Sequence, residues 1–187
     1  MNAVLKKGFF ITLTLAVVMA AGLAQAKSLD AGTVYLEPKV GFYANSNSHV
    51  SSVFTYGGEA GYFVAPQLSL GAEVLGYSIE QKKSSTTQSN GDTIGGVGAS
   101  AILRYHFVDT QSMSLFGGIG LGGLFADQKV PYNGHESLFS QLAEVGFNVF
   151  LADPVSFQIA GRWQHFGEYS NKGLDNWGGN AAIKFVF

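Results

Sequence analysis

The last 33 residues, Val155 to Phe187, constrain the fold more than any other stretch. Two segments in it alternate with period two, the pattern of half-buried strands. In the first, Val155, Phe157, Ile159, Gly161 and Trp163 share one face, and Ser156, Gln158, Ala160, Arg162 and Gln164 share the other. In the second, Trp177, Gly179, Ala181, Ile183, Phe185 and Phe187 oppose Gly178, Asn180, Ala182, Lys184 and Val186. The sequence ends on an aromatic residue of the apolar face. A closing strand whose apolar side meets lipid accounts for such an ending, because a closed barrel satisfies every backbone group inside a membrane.

The first residues agree. Lys6 and Lys7 precede an apolar run of 17 residues, Gly8 to Ala24, and Ala24-Gln25-Ala26 is a small-x-small cleavage site. This is the pattern of a secretory signal peptide over residues 1–26, which leaves residues 27–187 as a single barrel domain. No later run approaches the ~18 apolar residues of a helical span. Without Lys6 and Lys7, nine basic residues face thirteen acidic ones. No basic stripe exists for a nucleic acid, so none is expected as a partner. The chain has no Cys, and no disulfide framework is expected.

Six further strands read in order: Thr33–Tyr43, Val53–Val64, Leu68–Ile79, Thr93–Phe107, Met113–Phe125 and Ser137–Phe150. Pro38 lacks a ladder donor and predicts a bulge in the first. The connections alternate between long polar loops (44–52, 80–92, 126–136 and the stretch after Phe166) and tight turns (65–67, 108–112, 151–154). Tight turns at one end and longer loops at the other are the outer-membrane barrel signature.

Charge decides which face points in. One set of faces carries Glu37, Glu59, Glu73 and Glu144 with Lys39, Arg104, Arg162 and Lys184, among small residues. The opposite faces carry no charge within the strand bodies, as lipid demands. The expectation is an all-β, eight-stranded antiparallel up-and-down transmembrane β-barrel in the outer membrane of a Gram-negative bacterium. Its interior is filled by paired charges, with no conducting pore. A lipocalin-like barrel would instead turn the apolar face inward.

Two signals lead nowhere. Gly118-Ile-Gly120-Leu-Gly122-Gly123 matches the dinucleotide fingerprint letter by letter, but a strand pattern and a polar loop follow instead of the helix that would meet a pyrophosphate, so no cofactor is expected. The inward Gly118, Gly120 and Gly122 instead make room for long side chains from other strands. His49, His106, His135 and His165 have no ligand spacing, and no metal site is expected.

His165 is the candidate with chemistry. It shares the lipid-facing parity of Ile159 and Trp163. Ten residues up a tilted strand from Val155, it stands ~23 Å above the periplasmic end, at the outer-leaflet interface. An ionisable group facing outward there is a functional hypothesis by default. The plainer reading is an interfacial residue of the aromatic girdle, beside Trp163 and Phe166.

The run Arg162-Trp-Gln-His165-Phe, then Ser170-Asn171-Lys-Gly173-Leu and Asn176-Trp-Gly178, resembles the lipid A 3-O-deacylases of the outer membrane, an acyloxyacyl-hydrolase-like family. That family carries a His-x-Ser-Asn-x-Gly run followed by Asn-x-Gly. Leu103-Arg-Tyr-His-Phe, the Gly-rich fifth strand and Val130-Pro131 with Gly134 are similar to it as well. The resemblance implies a Ser–His–acid site on the outer wall that hydrolyses an ester-linked acyl chain of lipid A. Lipid A, as part of lipopolysaccharide, and outer-membrane lipid would then be its partners. His165, Ser170 and Glu168 are the catalytic candidates, with Asn171 and Gly173 supporting the oxyanion. A hydroxyl nucleophile needs an imidazole to take its proton, and the imidazole needs an acid to hold its tautomer.

The pattern departs from the family in two places. His165 and Ser170 are five apart instead of two, as if Gly167-Glu168-Tyr169 were inserted. The register of the family's Glu falls on Asn180, of inward parity, so Glu168 or Asp175 would have to replace it. Alternatively Glu168 stands in place of the histidine and the barrel is inactive. Two other functions fit the same fold: a non-enzymatic OmpA/OmpX-like structural or adhesive barrel, and a lipid A palmitoyltransferase, whose acyl-binding interior is not evident in these residues. The sequence leaves the oligomeric state open.

Overall fold

A computed structural model describes residues 29–45, 50–82, 91–130, 135–152, 154–167 and 173–187. The expected signal segment lies outside them. Eight antiparallel strands follow one another: β1 (Val34–Asn45), β2 (Val50–Ala65), β3 (Leu68–Gln81), β4 (Thr93–Asp109), β5 (Met113–Val130), β6 (His135–Ala152), β7 (Val155–Phe166) and β8 (Leu174–Val186). Neighbours in sequence are neighbours in space, and β1 pairs with β8 to close the barrel. Phe187 extends that seam by exchanging backbone hydrogen bonds with Val34. No sheet edge is left to meet lipid.

The connections alternate as expected, at 4, 2, 11, 3, 4, 2 and 7 residues in chain order. The strands run further than the sequence pattern indicates, so the loops are shorter. The loop expected over 126–136 is mostly hairpin: β5 continues to Val130 and pairs it with His135 after a register shift. The extensions carry Glu80, Asp127, Lys129 and Asp175 on outward parity, above the apolar band. The bulge expected at Pro38 is absent. Pro38 stays in register opposite Gly58, and only the β8 side of the ladder lacks pairs at Glu37 and Pro38.

The apolar faces point outward: Phe42 is 60% exposed, Ile119 63% and Val145 62%. All eight expected interior charges are buried. Arg104 bridges Glu59 (2.6 Å) and Glu144; Arg162 bridges Glu73 (2.8 Å) and Glu144 (2.7 Å). Lys39 meets Glu37, Glu59 and Glu73 at 3.0, 2.7 and 2.9 Å, and Lys184 meets Glu37 at 3.2 Å. Four acids and four bases thus close a neutral network across the middle of the lumen.

Above the network, toward the longer loops, the lumen is not small and polar but apolar. Tyr43, Leu75, Tyr77, Ile79, Ile94, Leu124, Leu138, Phe166 and Leu174 pack into one buried cluster. Below it, Asn148 Nδ2 donates to Ser114 Oγ at 3.0 Å, and Ser114 Oγ meets His106 Nδ1 at 3.1 Å. Leu29 then packs with Tyr35, Phe63 and Val186 at the tight-turn end, and its carbonyl accepts from the Gln67 amide at 2.8 Å.

The inward glycines make room as expected. A Cβ on Gly118 would sit 2.9 Å from Arg104 Cγ and 3.2 Å from Glu144 Cγ. A Cβ on Gly71 would lie 2.2 Å from Glu59 Oε1 and 2.7 Å from the Tyr35 hydroxyl. Gly71→Ala should therefore displace Glu59 from Arg104 and lower stability by about 1–3 kcal/mol in urea unfolding from vesicles. Gly161→Ala, with its nearest neighbour 3.9 Å away on the outer wall, should change little. Equal midpoints for the two variants would contradict the packed interior.

Candidate functional site

The site is built on β7 and β8 where they reach the long-loop end. Alternate residues of β7 fix the strand from inside. Arg162 belongs to the charge network, Gln164 Nε2 donates to Tyr77 Oη at 3.2 Å and to Ser140 Oγ at 2.9 Å, and Phe166 packs edge-on against Tyr77. The residues between them, Trp163 and His165, therefore leave the outer wall from a rigid support.

Register sets Trp163 opposite Trp177 and His165 opposite Asp175. The Trp163 ring lies 6.1 Å from the imidazole and 6.3 Å from Trp177, centroid to centroid. His165 Nδ1 is 2.9 Å from Asp175 Oδ1, and Trp163 Nε1 donates to that same oxygen at 3.1 Å. A carboxylate only accepts, so Nδ1 carries the proton and Nε2 of the neutral ring keeps its lone pair. The imidazole is partly sheltered, with 19% of its side-chain surface exposed, against 43% for Asp175.

The Nε2 edge faces Gly173. A Cβ there would lie 2.1 Å from His165 Cε1 and 2.3 Å from Nε2, so any other residue at 173 would cover the ring. Gly167 has φ +137°, a conformation that suits glycine, and its amide donates to the Phe139 carbonyl at 2.9 Å. A Cβ on Gly167 would come within 2.8 Å of Gly173 Cα. Both described ends of the β7–β8 connection thus meet beside the imidazole.

Of the expected site residues, His165 and Gly173 come together, and Asp175 joins them. Glu168, Ser170 and Asn171 lie outside the described residues. Asn180 cannot orient His165, since it is buried on the inner face opposite Ala160. The sequence reading passed over Gln141. It faces outward on β6, directly opposite His165, and is half-buried. Its carboxamide has no hydrogen-bond partner among the described residues. The signal was available: Gln141 interrupts the outward series Phe139, Ala143, Val145. Among the described residues no three His, Cys, Asp or Glu are arranged to hold a metal ion.

A closed eight-stranded barrel with a lipid-compatible outer wall and a charged, filled lumen defines an outer-membrane β-barrel. The chain belongs to the outer membrane protein beta-barrel domain family, which it matches over residues 13–185. Its fold is similar to that of Neisserial surface protein A, at TM-score 0.65 and 18% identity, covering 83% of this chain and 99% of that one. It is also similar to the N-terminal β-barrel domain of Pseudomonas aeruginosa OprF, at TM-score 0.62 and 17% identity over 84% and 98% of the two chains. Pseudomonas aeruginosa OprG gives TM-score 0.61 and 14% identity over 86% and 99%. No curated protein matches the chain. The protein is an outer-membrane barrel of a Gram-negative bacterium. The tight turns then face the periplasm, and the longer loops and His165 face outward.

Proposed function

We propose that this barrel is a lipid A deacylase, hydrolysing an ester-linked acyl chain of lipopolysaccharide at the outer leaflet. The observation that carries the reading is the 2.9 Å contact of His165 Nδ1 with Asp175 Oδ1 on the outer wall. An acid–imidazole pair is what a hydroxyl nucleophile needs beside it. The resemblance supplies Ser170 as that nucleophile, in the five residues between Gly167 and Gly173. Asp175 takes the orienting role that the sequence left open between it and Glu168. Asn171 and Gly173 supply backbone N–H groups toward the oxyanion.

The steps are those of acyl transfer. Ser170 Oγ attacks the ester carbonyl carbon while His165 Nε2 takes its proton. The tetrahedral intermediate collapses, and the sugar oxygen leaves with the proton from His165. Water, deprotonated by the same nitrogen, then cleaves the acyl-serine and releases the fatty acid. The test is mass spectrometry of lipid A from an expression host that lacks such an enzyme. Loss of one hydroxyacyl chain is expected. Unchanged lipid A of several acylation types, with folded barrel in the membrane, would overturn the reading.

One observation favours a second reading, a non-enzymatic structural or adhesive barrel. Asp175 Oδ1 accepts from Trp163 as well as His165, and the Trp177 ring lies tilted beside Trp163, so the same cluster would serve as an interfacial anchor. The fold neighbours accommodate this reading equally. The lipid A assay separates the two.

A further inference from the structure

The polar residues of the outer wall at this height form one row across three strands. Gln141 on β6, His165 on β7 and Asp175 on β8 are successive cross-strand partners. Residues directly opposite on one face have Cβ atoms about 4.5–5.5 Å apart. Below the row the wall is aromatic and aliphatic, with Trp163, Trp177 and Val145. On its β5 side Gln141 meets Leu121, which is 59% exposed. Asp175 occupies the Nδ1 side of the imidazole. On the β6 side the cross-strand partner of His165 is Gln141, whose amide has no partner among the described residues.

We infer that Gln141 is a substrate-binding residue of this site, its carboxamide N–H donating to the carbonyl oxygen of the scissile acyl ester. The inference rests on the deacylase reading and adds a residue to it that the family resemblance does not indicate. A polar side chain held outward at membrane depth is costly unless it finds a partner. An ester of an outer-leaflet lipid offers only acceptors, and the carboxamide offers two donors. When the nucleophilic oxygen adds to the carbonyl carbon, its proton passes to His165 Nε2 and the C=O π pair moves onto oxygen. Gln141 then donates to an oxyanion instead of a neutral carbonyl, and the bond strengthens as the charge develops. On collapse the pair returns and the sugar oxygen departs with the proton from His165. Gln141 gives up no proton at any step.

The test compares wild type with Gln141→Ala, Gln141→Glu and Leu121→Ala, refolded in detergent and assayed on purified lipid A. Removing one oxyanion donor costs about 100- to 1,000-fold in turnover. Gln141→Ala and Gln141→Glu should both lose that much in kcat, with a smaller change in KM, because the bond is worth most in the transition state. The glutamate keeps the shape and removes the donors, so it separates hydrogen bonding from packing. Leu121→Ala perturbs the same patch of wall and should keep wild-type turnover. The heat-dependent shift in electrophoretic mobility should be unchanged in all three, confirming a folded barrel. An active wild type with undiminished Gln141→Glu turnover would overturn the role of Gln141 alone. A wild type that leaves lipid A intact would overturn the deacylase reading and this inference together.

Discussion

His165→Ala and Ser170→Ala are each expected to abolish removal of an acyl chain from lipid A while leaving the barrel intact. Removing the base or nucleophile of such a site typically lowers turnover by about four to six orders of magnitude. In an expression assay that is complete loss. A several-fold decrease would count against the assignment, since perturbed lipid packing at the rim could do as much. Folding should survive because His165 stands outside the lumen and takes no part in the interior ion pairs. Asp175→Asn is the sharper variant. It keeps the size of the side chain but takes the negative charge from the oxygen that accepts from both His165 Nδ1 and Trp163 Nε1, so the imidazolium formed when Nε2 takes the nucleophile's proton loses its counter-charge. Turnover should fall by about 10⁴-fold, as it does for the same change in a comparable site. Glu168→Gln should leave turnover near wild type. If Glu168→Gln inactivates and Asp175→Asn does not, the observed His165–Asp175 contact serves the aromatic girdle and the acid is Glu168. Mass spectra of lipid A, with the mobility shift as a folding control, decide each case.

The barrel was legible because its two signals do not depend on pairing. Period two assigns every residue to a face, and eight charges on one set of faces against none on the other says which set is inside. The structure keeps both assignments, Gly118, Gly120 and Gly122 included. What escaped depends on what one strand does to another. Leu75, Ile79 and Phe166 have the inward parity of Glu73 and Arg162, but that they meet at one height as an apolar layer follows only from the register between strands. Pro38 stays in register because its missing donor faces β8, where the ladder is interrupted, and one strand read alone cannot show which partner loses the bond. The contact of His165 with Asp175 follows from the β7–β8 register and the position of Gln141 from the β6–β7 register, and neither is written in one strand read alone.

The interior network should dominate stability. Arg104→Met is expected to lower unfolding free energy by about 3–5 kcal/mol, the usual cost of leaving a buried charge without its partner. The guanidinium bonds Glu59 through two nitrogens at 2.6 Å and Glu144 through Nε. Its loss leaves Glu59 with Lys39 and Tyr35, and Glu144 with Arg162. Three bases then face four acids where water does not reach. Lys184→Met should cost less, because Glu37 keeps Lys39 at 3.0 Å and the hydrogen bond from Gln158 at 2.6 Å. Adding Glu144→Gln to Arg104→Met restores the balance of charge, so the double variant should recover part of the loss instead of adding to it. Urea unfolding of the refolded barrel from lipid vesicles, followed by tryptophan fluorescence, measures all three. Trp163 and Trp177 are the chain's two tryptophans and lie on the outer wall, on the face opposite the substituted lumen side chains, so the signal follows loss of the barrel wall. Strictly additive losses in the double variant would mean that the eight charges stand as separate pairs and not as one neutral set.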